Sequence, residues 1–76
     1  MKPIPTMLLK TVAKVHRTLG LLTFGPFIAT AGLGLNDGQN LWRRLAKHGY
    51  IERIGSGMYE PTAKLRAEIR TRDGDT

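Results

Sequence analysis

Cysteine is absent from this 76-residue chain, and histidine occurs only at His16 and His48. Without cysteine there are no disulfides, which fits a reducing compartment. The two histidines are far apart in the sequence and no carboxylate cluster lies near either, so we expect no metal site. Small domains commonly take part of their stability from disulfides, a metal or a partner chain, so dimerisation remains an open option.

Acidic residues are scarce and unevenly placed. Six Asp and Glu stand against twelve Lys and Arg, which gives a formal net charge of +6, and the first acid is Asp37. A small domain this basic favours polyanionic partners, such as nucleic acid or an anionic membrane surface. We expect nucleic acid; the alternative is that the charge only keeps the protein in solution.

The chain also lacks an uninterrupted apolar run of membrane-spanning length. Residues 19–35 carry no charge, but glycines and a proline interrupt them. A spanning helix needs about 20 predominantly apolar residues. The "ATA" at 29–31 resembles a signal-peptide cleavage site, yet the segment before it has the pattern of a long amphipathic helix. We therefore expect no membrane segment.

The residue sets that enzymes need are missing from the sequence. There is no carboxylate pair, Ser-His-Asp set, P-loop or metal-ligand spacing. Gly55 and Gly57 lack the third glycine and the following helix of a dinucleotide site. We expect a binding protein with no catalytic residue and no cofactor.

A first helix is predicted to begin near Thr6, after a lead-in over residues 1–5 whose prolines oppose helix formation. Apolar residues then recur at helical spacings of three and four, which predicts a buried stripe. The stripe comprises Leu8, Val12, Val15, Leu19 and Leu22. Lys10, Lys14 and Arg17 follow the same rhythm on another face, either as a solvated surface or along a phosphate backbone.

A short second helix is predicted after a glycine. Gly20 is suited to ending the first helix, and Thr23 to capping a helix from about Phe24 to Ala31. Four residues of this helix should face inward: Phe24, Phe27, Ile28 and Ala31.

The third predicted helix, within "NDGQNLWRRLAKHG", separates an apolar side from a polar side. Asn36 or Asp37 is expected to cap it, and Gly49 is suited to ending it. Three apolar residues form the buried side: Leu41, Trp42 and Leu45. Four residues fall on the opposite side: Gln39, Asn40, Arg43 and Lys47.

The stretch "YIERIGSGMYE" predicts a β-hairpin with strands over about 50–54 and 58–60. Gly55 and Gly57 permit positive φ at its tip and close approach to a phosphate. Arg53 either contacts a phosphate or pairs with a glutamate of the hairpin.

A last helix is expected over "AKLRAEIRTR", capped by Thr62. Its apolar residues Leu65 and Ile69 are four apart, so they share one side. This side is either a dimer surface or a contact with the first helix. Residues 73–76 should form a frayed tail.

The predicted order of helix, short helix, turn, polar-faced helix, hairpin and helix resembles a winged helix-turn-helix. The stretch "LAKHGYIER" at 45–53, with the glycine tip and "MYEPT" after it, is similar to the end of a recognition helix and its wing. "FIATAGL" at 27–33 is similar to the first helix of such a motif and its turn. The resemblance covers about residues 6–70. It implies an α+β fold in which residues 1–76 form a single domain with three helices, a two-stranded β-hairpin wing and a C-terminal helix.

The resemblance implies sequence-specific binding of double-stranded DNA by a transcriptional regulator of phage or mobile-element type, cytoplasmic and nucleoid-associated. The helix at about 37–48 would enter the major groove, where Asn and Gln pair with adenine and Arg with guanine. The wing at about 51–60 would lie on the backbone or minor groove. The implied DNA-binding residues are Asn36, Gln39, Asn40, Arg43, Arg44, Lys47, Arg53 and Ser56. Arg44 and Lys47 suit phosphates, and a homodimer on paired half-sites is common for such proteins.

Two residues depart from the winged-helix pattern. Pro61 replaces a hydrogen-bonding residue and is expected to cut the second strand short. Gly38 stands where an apolar residue usually packs, and it costs about 1 kcal/mol of helix propensity relative to Ala. The first turn of the third helix is therefore either loose or in close contact with a neighbour.

Two alternatives to duplex DNA remain open. A winged helix can be a protein-interaction module for a host polymerase, nuclease or regulator. An exposed apolar patch of Phe24, Phe27 and Met58 would favour that module, whereas base-reading residue types together with a basic wing would favour DNA. A single-strand or RNA binder would need exposed rings on Trp42 and Tyr59.

Overall fold

The computed structural model describes residues 3–74, which form four helices and one antiparallel β-hairpin. In chain order the elements are α1 (Thr6–Leu19), α2 (Phe24–Ala31), α3 (Leu35–Lys47), β1 (Ile51–Gly55), β2 (Met58–Pro61) and α4 (Ala63–Gly74). The predicted α+β class and element order are confirmed, and the layout is compatible with a winged helix. Of the helices within residues 3–74, none has the length and apolar character needed to cross a bilayer.

Glycines in the left-handed conformation follow the helices at the predicted positions. Gly20, with φ 78°, ends α1, and Gly49, with φ 77°, follows the last residues of α3. Glycine adopts this conformation without the steric penalty of a side chain, so both helices stop there. Thr23 occupies the predicted N-cap position of α2, but its side chain makes no capping hydrogen bond.

The start of α3 differs from the prediction. Gly34 is the N-cap, so Asn36 and Asp37 lie inside the first turn of the helix. The Gly34 carbonyl accepts a hydrogen bond from the Gly38 N–H at 2.8 Å, which closes that turn. The predicted cap at Asn36 or Asp37 is therefore wrong, because the helix begins directly after the turn at residues 32–34. Asp37 in the first turn still interacts favourably with the helix dipole.

The hydrophobic core draws side chains from all four helices. Its largest fully buried side chains are Phe27, Leu9, Leu22, Leu45, Leu65 and Val12. Within α1, Val12 and Val15 are buried as predicted, but Leu9 rather than Leu8 is fully enclosed. Leu19 is 52% exposed, so its predicted place in the core is wrong. It is the last residue of α1, directly before Gly20, where the helix ends.

The loop between α1 and α2 adds a short third segment to the hairpin. Leu22 and Tyr59 form an antiparallel bridge, with N–H···O distances of 3.2 Å from Leu22 and 2.9 Å from Tyr59. β2 therefore lies between Leu22 and β1. Leu22 is buried, but through this bridge rather than as part of the α1 stripe. The bridge was not predicted from the sequence.

The hairpin pairs Glu52 with Glu60 and Arg53 with Tyr59. Paired residues in an antiparallel hairpin share a face, and neighbours along a strand alternate between faces. The two glutamates therefore lie on one face, and Arg53 lies with Tyr59 on the other. The register shifts between Arg53 and Gly55, which marks a bulge near the tip.

Glycine has two different roles at the hairpin tip. Gly57, with φ 70°, has the predicted positive φ. Gly55 does not use the positive φ that glycine permits; a Cβ there would lie 2.8 Å from the Met58 Cε, which is the flexible end of an exposed side chain. β2 ends at Pro61, which is buried and is the last residue of this four-residue strand. A proline is tolerated at a strand end, where its missing N–H disturbs the ladder least.

Thr62 caps α4 as predicted and also ties it to the end of α3. Its Oγ1 accepts a hydrogen bond from the Leu65 N–H at 3.3 Å and donates one to the Gly49 carbonyl at 2.6 Å. One hydroxyl therefore satisfies a backbone donor of α4 and a backbone acceptor beside α3.

α4 packs against α1, which was one of the two predicted alternatives. Leu65 is fully buried and Ile69 packs against the core, so the dimer surface predicted at these residues is wrong. Arg72 of α4 donates a hydrogen bond to the carbonyl of Ile4. Ile4 itself is buried, so the segment before α1 contributes to the core.

The predicted frayed tail is partly helical. Asp73 and Gly74 belong to α4, and Asp73 forms an ion pair with Lys10 of α1 at 3.0 Å. The prediction of a frayed tail is therefore wrong at these two residues. The rest of the predicted tail, residues 75–76, and residues 1–2 of the predicted lead-in lie outside the described residues.

α2 and α3 make a close contact at Gly38. This glycine is buried, and an ideal Cβ at this position would overlap the Cγ2 of Ile28 and lie 3.4 Å from the Phe24 ring. Of the two predicted explanations for Gly38, close contact with a neighbour is confirmed, and that neighbour is α2.

Gly38→Ala should destabilise the protein by about 1–3 kcal/mol, as expected for overpacking, although alanine is the better helix former by about 1 kcal/mol. Urea unfolding followed by circular dichroism measures the change. In an Ile28→Ala background the same substitution should be neutral or stabilising, because the added methyl group then has space. A Gly38→Ala protein as stable as its parent would contradict the close contact.

Thr62→Ala should destabilise the protein by about 1–2 kcal/mol, because it removes the cap of α4 and leaves the half-buried Gly49 carbonyl without its donor. Thr62→Ser keeps the hydroxyl and should retain most of the stability. Thr71→Ala, at an exposed position of α4, is the control. Equal thermal midpoints for the Ala and Ser variants at residue 62 would rule out this role.

Candidate nucleic-acid interface

The outer side of α3 carries a row of polar and basic side chains. Asn36, Asn40, Arg43 and Lys47 are spaced by four, three and four residues, so they line one side of the helix, and all four are exposed. Gln39 is exposed beside this row. We call these five residues the α3 face. They are five of the eight residues implied by the resemblance, and none of them is acidic.

Trp42 holds α3 in place from the opposite side. Its ring lies 5.6 Å from that of Phe24 and 5.4 Å from that of Phe27, both in α2, and 5.0 Å from that of Tyr59 in β2. Two of these contacts are edge-on, an arrangement that aromatic pairs favour. One side chain therefore joins α2, α3 and β2 and sets the position of the α3 face relative to the hairpin.

Trp42 is a core residue, as predicted, and is 9% exposed. A stacking platform for single-stranded nucleic acid needs open ring faces on both Trp42 and Tyr59. The Trp42 ring instead packs against three other rings, and Tyr59 is half-buried. The condition for the single-strand interpretation is therefore not met.

Arg44 differs from the other predicted DNA-binding residues of α3. It is half-buried, and its Nε has almost no contact with solvent. The helix geometry turns it about 100° away from Arg43, toward the flank of α3. Arg44 therefore lies beside the α3 face rather than within it.

The C-terminal end of α3 is anchored by α4. Lys64 donates a hydrogen bond to the carbonyl of His48, the C-cap of α3, and its Nζ lies 5.4 Å from the centre of the Tyr50 ring. The His48 ring stacks on Tyr50, with centroids 5.8 Å apart. His48 is thus half-buried and packed against Tyr50.

The wing residues Arg53 and Ser56 are both exposed. Arg53 and Tyr59 lie on the same face of the hairpin, and the Tyr59 ring contacts Trp42 of α3. The Arg53 side chain therefore leaves the hairpin on the side that faces α3. Its Nε donates a hydrogen bond to the Gly55 carbonyl at 3.2 Å, rather than pairing with a glutamate as one alternative predicted.

The wing as a whole is not basic. Glu52 and Glu60 face each other on the side of the hairpin away from Arg53, and they outnumber this single cation. Near the tip, Ile54 is 55% and Met58 43% exposed. The patch predicted for a protein partner is not assembled, however, because Phe27 is fully buried and Phe24 half-buried. The wing therefore has one cationic side and one acidic side with an apolar tip.

The cations of α1 form a second, separate basic surface. Lys10, Lys14 and Arg17 are exposed on the outer side of α1, as predicted. Lys10 is engaged in the ion pair with Asp73, and Lys14 lines a shallow groove together with Thr30 of α2. No three His, Asp or Glu side chains within residues 3–74 come together in a way that could hold a metal ion.

A small cleft opens where α3 meets the start of α2. It is lined by Phe24, Gln39, Trp42 and Arg43 and has a volume of about 260 Å³. Its aromatic side chains come from the core cluster and its polar ones from the α3 face. Sequence reasoning missed this cleft, because Phe24 was expected only to face inward; its proximity to Arg43 depends on how α2 packs against α3.

Trp42 is the only tryptophan, so its fluorescence reports on the aromatic cluster. Acrylamide should quench the emission weakly in the folded protein and strongly in urea, because the ring is shielded by three neighbours. Added oligo-dT should not quench it as base stacking would. Strong acrylamide quenching of the folded protein would contradict the burial of this ring.

A scan against known protein families, a search of curated proteins and a search of solved structures found no match to this chain. The functional proposal therefore rests on the geometry and chemistry of the chain's own residues.

Proposed function

We propose that this protein is a winged helix-turn-helix that binds double-stranded DNA in a sequence-specific manner. The observation that carries the proposal is the α3 face: five exposed residues on one side of a helix, with two cations, three side-chain amides and no acid. An α-helix fits the major groove of B-DNA, where amide and guanidinium side chains distinguish base pairs by their donors and acceptors.

The connection between α2 and α3 supports a helix-turn-helix. The two helices are separated by residues 32–34, a three-residue turn that contains two glycines. Turns of this length, often with glycine, join the two helices of DNA-binding helix-turn-helix motifs, and the second helix enters the groove. In this chain the second helix is α3, which carries the base-reading residue types.

The α3 face offers distinct roles in a DNA complex. Arg43 is the residue type that forks onto the O6 and N7 of guanine, and Gln39 and Asn40 onto the N6 and N7 of adenine. Lys47, one turn beyond Arg43, suits a phosphate, and phosphate contacts fix register without reading sequence. Asn36 lies in the first turn of α3, the end from which helix-turn-helix proteins commonly reach base edges.

The hairpin would act as the wing. Arg53 and Ser56 are exposed near its tip and suit the DNA backbone or the minor groove. Tyr59 packs against Trp42, so the wing is held at a fixed distance from α3. Only the side of the wing with Arg53 favours DNA, since the glutamates on the other side repel phosphates. Arg44, Lys10, Lys14 and Arg17 would add further backbone contacts.

Sequence-specific binding of this kind suits a transcriptional regulator of phage or mobile-element type, acting in the cytoplasm at the nucleoid. This step is an analogy at the level of the fold. A homodimer would place two α3 helices on half-sites about 34–36 Å apart along the DNA. Since Leu65 and Ile69 belong to the core, the dimer contact would have to use another surface.

A protein-interaction module is the second candidate function. The observation that favours it is the side of the wing that carries Glu52 and Glu60, together with exposed Ile54 and Met58 at the tip. Apolar residues beside carboxylates suit a basic protein surface better than they suit DNA.

The first test is titration of random-sequence duplex DNA at two salt concentrations, with selection of tight sites from a pool. We expect binding that weakens steeply as salt rises, and enrichment of a defined motif. No binding at low salt would contradict the DNA proposal and favour the protein-interaction module.

Arg43→Ala should weaken binding to the selected site by about 1–3 kcal/mol and relax the preference at one base pair. Lys47→Ala should weaken binding to all sequences alike and lower the slope of log K against log salt by about 1. Fluorescence anisotropy with labelled duplexes measures both effects.

Arg66→Ala is the matched control, because it removes one exposed cation from α4 rather than from α3. It should leave the base preference unchanged. If Arg43→Ala and Arg66→Ala bind the selected and random duplexes equally well, α3 is not the recognition helix.

A further inference from the structure

The cleft between α2 and α3 is partly apolar, whereas the α3 face beside it is polar. Gln39 and Arg43 supply its polar rim, whereas the rings of Phe24 and Trp42 supply an apolar floor. The α3 face itself is polar, so an apolar group that meets it would be shielded from water in this adjoining cleft. The inference that follows rests on the proposed function, because the rim belongs to the surface proposed to bind DNA.

The size of the cleft limits what can enter it. The cleft is open to solvent and has a volume of about 260 Å³. Pockets that enclose a small-molecule ligand typically have volumes of about 300–1,000 Å³. The cleft is ample for the edge of a base that approaches from outside. The cleft therefore fits a group that is part of a larger surface better than it fits a free ligand.

The major groove presents one apolar group, the C5 methyl of thymine. The same group occurs on 5-methylcytosine. We propose that the cleft receives the C5 methyl group of a pyrimidine next to the base read by Arg43. The methyl would lie against the edge of the Phe24 ring while the guanidinium and amide of the rim bond to neighbouring base edges.

The packing of α2 gives Phe24 this position. Its ring lies 5.6 Å from that of Trp42 at an interplanar angle of 78°, and its tip lies against α3 at Gly38, where an ideal Cβ would be 3.4 Å from the ring. Phe24 is half-buried, so part of the ring remains open to the cleft. A residue outside the recognition helix is thereby a specificity-determining residue.

The test uses the duplex selected for tight binding, with each thymine replaced in turn by uracil. This exchange removes the methyl group and leaves every hydrogen-bonding atom of the base in place. We expect one thymine per binding site whose replacement raises Kd about 3- to 10-fold, the range for shielding one methyl group from water. A selected duplex that tolerates uracil at every thymine would overturn the proposal while leaving DNA binding established.

The position at which uracil weakens binding also tells whether thymine or 5-methylcytosine supplies the methyl group. Cytosine and 5-methylcytosine are compared there, opposite guanine. The protein should bind the duplex with 5-methylcytosine more tightly than the duplex with cytosine, because only the former carries the methyl group. If thymine binds best, the cleft serves thymine in ordinary DNA; if 5-methylcytosine binds best, it serves methylated DNA. Equal binding of cytosine and 5-methylcytosine would count against the cleft.

Phe24→Ala links the effect to the cleft. The ratio of Kd for the uracil and thymine duplexes should fall close to one in this variant and stay at the parental value in Leu19→Ala, which truncates an exposed apolar residue of α1. Because the ratio is taken within each variant, any loss of folded protein cancels. Phe24→Leu, which keeps an apolar side chain, should retain part of the ratio. An unchanged ratio in Phe24→Ala would overturn the proposal, whereas absence of duplex binding in the parent protein would overturn the proposed function itself.

Discussion

The contact of α2 with α3 is the constraint on which the rest of the molecule depends. Gly38 lets the two helices approach closely, and Trp42, one turn further along α3, fills the space between α2 and β2. These two residues set the position of α3 relative to both the preceding helix and the hairpin. Because apolar residues occupy the inner side of α3, the row of Asn36, Asn40, Arg43 and Lys47 on its outer side is free to be polar.

Much of the fold was predictable because the signals that determine it are local. Gly20 and Gly49 end helices through their own backbone conformation, and Thr62 caps α4 through its own hydroxyl. The errors occurred where local signals compete with packing. Asn36 and Asp37 are good caps, yet the turn before them already starts the helix at Leu35. Leu19 continues the helical spacing of apolar residues, yet it is the last residue of α1 and stays half exposed.

In the candidate site, too, some features follow from the local sequence and others depend on packing. The α3 face follows from a spacing of three and four residues, so the sequence was sufficient to find it. The cleft depends on Phe24 and Arg43, which are nineteen positions apart and meet only through helix packing. The sorting of Arg53 and the two glutamates onto opposite sides of the wing depends on strand register. The bridge between Leu22 and Tyr59 has no sequence signal, because it uses only backbone atoms.

The bond from Arg72 to the Ile4 carbonyl joins residues that are 68 positions apart. α1 is synthesised before α4, yet part of its apolar side is covered by α4. A nascent chain therefore carries an incompletely covered α1 until residues 63–74 have left the ribosome. Closure of the domain therefore waits for α4 and depends on a long-range contact, despite the mostly helical content of the domain.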